Sequence, residues 1–528
     1  MTVSISTIKD RFISGNFILH CPFIELEQCG VTGTAKTYAG SGSITLDPRK
    51  GFTGSFVTAA PVHLFTQLMV DQELVVGEIV PDSYFYRLRA TAVDGTTWIN
   101  PKVGISLQSG AAGTLVTFGP DFLATSRPAL DASRTAATFV FLDTLPFPLT
   151  STTQTIQKGP GGEKTHWKRD GGQQRTAKMD LIYREWKEGT VHCEFTAVFA
   201  EPAPLGFENR LLEALRFATA VPASWVMLEY NQGGQVHLEL CPYRPPQHHL
   251  VDAPLRASEQ PQDFFRLLET FYVHACGHST GEEFSQLSTA IGPLFALKGL
   301  DMAAISLVIG VAIEALLKEE FSDLEDTDPS LMADVRAVEK MIDSMTAIPV
   351  NTRNRMKGSM GGLKSTRAQD KLAKLQKMGL VTPAELEHWK KLRNTSAHGS
   401  LRVDPEQMQQ HLRRIYAVTT MAYKLAFLRI GYFGPYTDYG APRWPIAWFP
   451  HMDDARTLSR VTEQLAQLPE ADIEDKLYAW KAVDSALRTT FQEHDAGASR
   501  VVAALVLLAA MMNAAALRLA QLRSKNRG

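Results

Sequence analysis

The chain has 528 residues, too many for one hydrophobic core, which implies roughly two to four domains. Apolar residues make up 45% and charged residues 21%, which excludes a disordered chain. The net charge is −2, so a nucleic-acid partner has to meet a local basic patch rather than a basic protein.

The N-terminus, MTVSISTIKDRFISGNF, lacks the basic flank, apolar run and small-residue cleavage site of a signal peptide. The five cysteines (Cys21, Cys29, Cys193, Cys241 and Cys276) are odd in number and scattered, with no C-x-x-C. They read as free thiols in a reducing cytosol, and a cytoplasmic protein is expected.

Residues 1–200 are rich in Gly, Thr, Val and Phe, with short alternating runs such as GSGSITLD, SYFYRLRATAV, GTLVTFG, KMDLIYREW and TVHCEFTAVF. Gly and Pro punctuate them, the pattern of antiparallel strands. A helix is predicted over 209–220, then two strands, SWVMLEY and QVHLELCPY, and a Pro-rich bend at CPYRPPQHH. The first domain is therefore placed at 1–255.

From about 262 the apolar period changes from two to 3.6 residues. FFRLLETFYVHA, residues 301–320 and DVRAVEKMIDSM read as helices, and 370–378 as a short one closed by Gly379. Residues 382–397 form the next. Thr382-Pro-Ala-Glu385 supplies its N-cap, a proline at the first position and a capping-box Glu, and Gly399 is a left-handed stop. A further helix opens at Asp404-Pro-Glu-Gln407 and closes at Gly431. The aromatic loop GYFGPYTDYGAPRWP packs onto the preceding helices and ends a second domain at 262–445. Residues 446–528 read as a helical extension. Its VVAALVLLAAMMNAAALRLA holds an uninterrupted apolar run only from Val501 to Met512, short of the ~20 residues of a membrane span. It reads as a buried or oligomer-forming helix, and a membrane is not an expected partner. The expected fold class is α+β multidomain: a β-rich antiparallel domain, an all-α bundle and the helical extension.

The chemistry centres on WKKLRNTSAHGSL, residues 389–401. On an ideal helix Leu386, Trp389 and Arg393 share one face, so Arg393 stands where a Leu would serve packing better. It either snorkels, pairs with a carboxylate of a neighbouring helix, or is used. His398 lies about 140° of rotation and ~7.5 Å of rise further on. The two converge only if the helix ends there or a second copy supplies half of the site. Arg244–His249 and Arg488–His494 have similar spacing, but the first lies in a proline bend and the second has acids around its histidine. Only Arg393 and His398 combine a capped helix, a flanking Asn394 and an immediate Gly stop.

Residues from about 284 to 440 resemble a HEPN domain, whose mark is R-x(4–6)-H at the end of a late helix. The carriers are AIEALLK (312–318), WKKLRNTSAHG, the helix over 405–430 and GPYTDYGAPRWP. A β-rich domain before such a region resembles the ApeA-type anti-phage proteins. The resemblance implies an all-α HEPN bundle that cleaves RNA (tRNA, mRNA or rRNA) without metal or cofactor, leaving a 2′,3′-cyclic phosphate. It also implies a homodimer that lines one cleft with both motifs, a role in abortive infection, and an N-terminal domain that restrains the nuclease or answers a phage-derived trigger.

The residues suit that chemistry. Histidine titrates near neutrality and serves as general base or acid. Arginine keeps its charge, and its planar fork matches phosphoryl oxygens. Arg393 and His398 fill those roles, and Asn394 orients the phosphate or the histidine. Glu314, the one charge in IGVAIEALL, either supports the site or pairs with Lys318 at i,i+4.

Residues 351–380 carry eight Lys or Arg against one acid, Asp370. Arg353, Arg355, Lys357, Lys364 and Arg367, with Lys390 and Lys391, are RNA-binding candidates, or a solvated face. GSMGGLKS fails as a P-loop, since Leu363 stands where Gly is needed and no strand precedes it. His274-Ala-Cys276-Gly-His278 matches no zinc spacing, and no metal site is expected. The rival readings are a non-catalytic HEPN module that binds nucleotide or protein, and a helical scaffold.

Overall fold

A computed structural model describes residues 5–47, 51–58, 79–110, 113–129, 131, 135–159, 162–186, 190–243, 252–279, 283–297, 300–324, 329–361, 366–397 and 408–449. The chain divides into a β unit (Met1–Glu208 with Pro222–Pro246) and a helical unit (Asn209–Val221 with Gln247–Gly528).

In the β unit, helix α1 (Ile5–Ile13) precedes strands β1 (Ile18–Gln28), β2 (Thr37–Asp47), β3 (Gly51–Thr58), β4 (Tyr86–Thr91), β5 (Thr97–Gly110) and β6 (Gly113–Gly119). Burial alternates along them, as in β4 and β6, because successive side chains point to opposite faces. Sheet order β4-β1-β2-β3-β6-β5 closes on itself, since β4 also pairs with β5. Leu26 faces Leu88 on one side of β4, and Ala90 faces Trp98 on the other. The result is a closed six-stranded barrel. Ile24, Leu26, Ile44, Leu88, Val103 and Val116 are fully buried in its core. Two glycines make room for that core. A Cβ at Gly42 would fall 2.0 Å from the Ser55 carbonyl oxygen, and one at Gly54 would fall 2.1 Å from the Phe118 ring.

The sheet continues beyond the barrel through β7 (Leu123–Pro128), β8 (Ala136–Phe141), β9 (Ser151–Gly159), β10 (Gly162–Arg175), β11 (Met179–Trp186) and β12 (His192–Phe199). It is completed by β13 (Met227–Gln232) and β14 (Gln235–Leu240), in the order β7-β14-β13-β8-β12-β11-β10-β9.

The helical unit contains most of α2 (Phe207–Thr219), then α3 (Pro261–His278), α4 (Gln286–Ile291), α5 (Met302–Glu319), α6 (Pro329–Ser344), α7 (Val350–Gly361), α8 (Ala368–Lys377), α9 (Pro383–Ala397) and α10 (Met408–Ile430). Glu213 of α2 pairs with Arg210 and accepts hydrogen bonds from Ser285 N at 3.0 Å and Ser288 Oγ at 2.5 Å. A carboxylate thereby satisfies donors at the start of α4. Phe217 stacks on Phe271 and meets Tyr423 and Phe427 edge-on. Strands β15 (Gly434–Thr437) and β16 (Ile446–Phe449) form a hairpin. Tyr436 of this segment is buried against Phe427, and the Tyr439 hydroxyl donates to the Ala253 carbonyl, so the aromatic segment packs as expected.

The fold-class expectation needs correction. The β-rich character of the N-terminal part holds, but its architecture is a closed barrel with eight further strands. Alternation is the same in an open and a closed sheet, so the run pattern carries no sign of closure. A distinct all-α HEPN bundle is not shown. The helical unit carries a β-hairpin and takes in residues 209–221 from within the β-rich stretch. The hairpin reads as loop because its strands are four residues long and the first contains Gly434 and Pro435. The extension expected over 446–528 lies outside the described residues apart from β16.

Candidate functional site: a paired arginine at the end of α9

The sequence fixes where α9 starts by a reciprocal cap. Thr382 N donates to Glu385 Oε2 at 2.7 Å, and Glu385 N donates to Thr382 Oγ1 at 3.2 Å, the capping box expected from Thr382 and Glu385. The other oxygen, Glu385 Oε1, lies 2.8 Å from Lys424 Nζ of α10, with both side chains buried. One carboxylate thus caps α9 and locks it to α10. Lys424 escaped the sequence reading, although a lone cation inside MAYKLAFL was a signal for it.

Leu386, Trp389 and Leu392 bury the inner face of α9. Arg393 stands at the edge of that face with its side chain 51% exposed. Its guanidinium lies 5.9 Å over the Trp389 ring, and its Nε donates to Glu314 Oε1 of α5. Of the readings open for Arg393, the structure shows the pair with a carboxylate of a neighbouring helix, while Lys318, the i,i+4 candidate for Glu314, pairs with Glu319 at 3.1 Å. Helix α5 is itself capped by Asp301, whose Oδ1 accepts from Ala304 N at 2.7 Å. Buried Ser306 Oγ lies 2.8 Å from His411 Nε2 of α10, tying α5 to α10. Asn394 is exposed beside Arg393. His398 and Lys364 lie outside the described residues, so the structure brings together Arg393 and Glu314 and leaves the geometry to His398 undescribed.

Several basic candidates have local partners. Arg353 Nη1 donates to the Asp343 carbonyl at 2.7 Å, and Lys357 pairs with the Asp343 carboxylate at 2.6 Å. Arg367 pairs with Asp370 at 3.0 Å and Lys391 with Glu387 at 2.6 Å. Arg355 is exposed and Lys390 half-buried. Lys371 and Lys374, counted in the basic run, donate to the carbonyls of Leu317, in the last turn of α5, and Leu324, just beyond it, at 2.9 and 3.0 Å, satisfying helix-end acceptors.

The His274, Cys276 and His278 group is a packing feature. The two imidazoles stack with centroids 4.1 Å apart, and His278 Nδ1 lies 2.9 Å from the His274 carbonyl. Burial, then His278 and Arg429, lowers the pKa of His274 to about 4. The unfolded chain therefore holds this proton more tightly than the folded one. Its stabilising effect is fully present above the unfolded pKa near 6.5 and is lost as pH falls toward 4. Urea unfolding is expected to show a loss of up to about 3 kcal/mol across that window. His274→Gln should flatten the slope, and equal slopes in the two proteins would contradict the assignment. All five cysteines are free. Among the described residues, no helix is long and apolar enough to cross a membrane.

No family model and no curated protein matches the chain. Among solved structures it is similar to a glucosamine kinase (crystal form A) at 14% identity, covering 75% of this chain and 85% of that one, with a TM-score of 0.11. It is also similar to a glucosamine kinase in complex with glucosamine, ADP and inorganic phosphate at 12% identity, covering 66% and 81%, with the same score. Scores this low show no shared architecture.

Proposed function

We propose that the chain is an endoribonuclease acting through Arg393 and His398, similar in its R-x4-H motif to HEPN ribonucleases. The observation that supports this is the Arg393 guanidinium. It is half-exposed at the end of a doubly anchored helix, aimed by Glu314 and Trp389, five residues ahead of a histidine. An arginine needed only for packing would be covered, and one needed only for solubility would not be held from two sides.

In the proposed reaction His398 takes the proton of a ribose 2′-hydroxyl. The 2′-oxygen attacks the adjacent phosphorus, the bond to the 5′-oxygen breaks, and the leaving oxygen takes a proton from the imidazolium or from water. Arg393 stabilises the charge on the non-bridging oxygens, and Asn394 orients the phosphate. The products are a 2′,3′-cyclic phosphate and a 5′-hydroxyl. Glu314 keeps the guanidinium plane in place until phosphate replaces it. A second copy of the chain supplies the facing motif, exposed Arg355 and half-buried Lys390 meet the RNA backbone, and the β unit answers a phage-derived trigger in the cytoplasm.

No step uses a metal. Purified chain is therefore expected to cut labelled RNA at the same rate with and without a chelator, giving cyclic-phosphate ends. Loss of cleavage that magnesium restores would overturn the mechanism. The pairing of Arg393 with Glu314 also favours a second reading, a binding module in which this ion pair is purely structural. That reading requires intact RNA under all conditions.

A further inference from the structure

Strand β1 begins, and the β4–β5 turn lies, at the end of the barrel where α1 packs Phe12 against Phe17 and Phe52. Helix α1 does not fill that end. A cleft of about 410 Å³ remains, lined among others by Arg11 of α1, by Phe17 and Ile18, and by Val93, Asp94 and Trp98. Its size falls within the ~300–1,000 Å³ of small-molecule sites, and barrel mouths are a recurrent place for them.

The lining has a direction. The floor is aromatic: Trp98 and Phe17 are buried and meet edge to face with centroids 6.4 Å apart. Two aliphatic side chains stand exposed at the mouth, Ile18 at 49% and Val93 at 75%, where water is a poor neighbour. The charges there are not equivalent. Asp94 Oδ1 accepts from Thr96 N at 3.0 Å within its own turn. Arg11 is exposed in the last turn of α1, and no carboxylate among the described residues pairs with it. An apolar cleft whose rim carries one free cation among the described residues complements an apolar body bearing one negative group.

We propose that this end of the barrel binds a small amphipathic anion, an aromatic or aliphatic body carrying a single carboxylate, sulfonate or phosphate, with the body on Trp98 and Phe17 and the anion on Arg11. The site stands independently of the ribonuclease reading, since it uses none of the residues of that reaction.

The test uses the full chain and two fluorescent probes with the same ring body: anilinonaphthalene sulfonate and its neutral counterpart, phenylnaphthylamine. Wild type should bind one sulfonate probe per chain. Arg11→Gln should weaken the sulfonate about tenfold and leave the neutral probe unchanged. Arg11→Lys should recover most of the loss, and Val93→Asp should weaken both probes. Arg11 and Val93 are exposed, so these variants leave the barrel core untouched. Absence of saturable binding, sulfonate binding indifferent to both sites, or equal weakening of the two probes by Arg11→Gln would each overturn the proposal.

Discussion

Arg393→Ala is expected to slow RNA cleavage by about 10²–10³-fold while leaving the melting temperature nearly where it was. The two halves of this expectation have different causes. The rate falls because a fixed cation beside the scissile phosphate is worth most in the transition state, where the non-bridging oxygens gain charge. Stability barely changes because the Arg393–Glu314 pair is 51% and 37% exposed, and exposed pairs contribute roughly 0–1 kcal/mol. Arg393→Lys should fall between, since it keeps the charge and loses the planar fork. Initial rates on a labelled RNA, with thermal melts of the same preparations, check both halves. A large drop in melting temperature would mean that Arg393 holds the helix rather than the substrate.

The opposite balance is expected at Glu385. Its partner Lys424 is 2% exposed, so Glu385→Ala takes away the carboxylate that a buried ammonium faces and the half of the capping box that Thr382 N donates to. The expected loss is about 3–5 kcal/mol in urea unfolding. Lys424→Met alone should cost less, because Glu385 keeps its bond from Thr382 N. The double variant should be more stable than the sum of the single losses implies. Strict additivity would show that the two side chains do not act as a pair. Cleavage should fall with Glu385→Ala as well, because the start of α9 sets where its last turn, and therefore Arg393, lies.

These two residues also show what can be read from a linear sequence. The Thr382–Glu385 box was legible because both partners lie within one turn. The Glu385–Lys424 pair was not, because 39 positions separate them and only the packing of α9 on α10 joins them. Spacing offered Glu314 only Lys318 as a partner, and its pair with Arg393, 79 positions away, comes from the packing of α5 on α9. Partners of the basic run were hidden for a related reason. The count over 351–380 began past Asp343, whose carboxylate pairs with Lys357 and whose backbone carbonyl accepts from Arg353. In the β unit the alternating runs marked strands well. Closure of the barrel depends on β4 finding β1 and β5 together, a long-range pairing that period two does not encode.

The central claim is that Arg393 and His398 cut RNA. Its most direct test is to express wild type, Arg393→Ala and His398→Ala in cells challenged with phage, and to sequence total RNA for ends bearing a 2′,3′-cyclic phosphate. New ends in wild type alone are the expected result, and their positions would name the substrate. The same ends in all three, or none in any, would contradict the account.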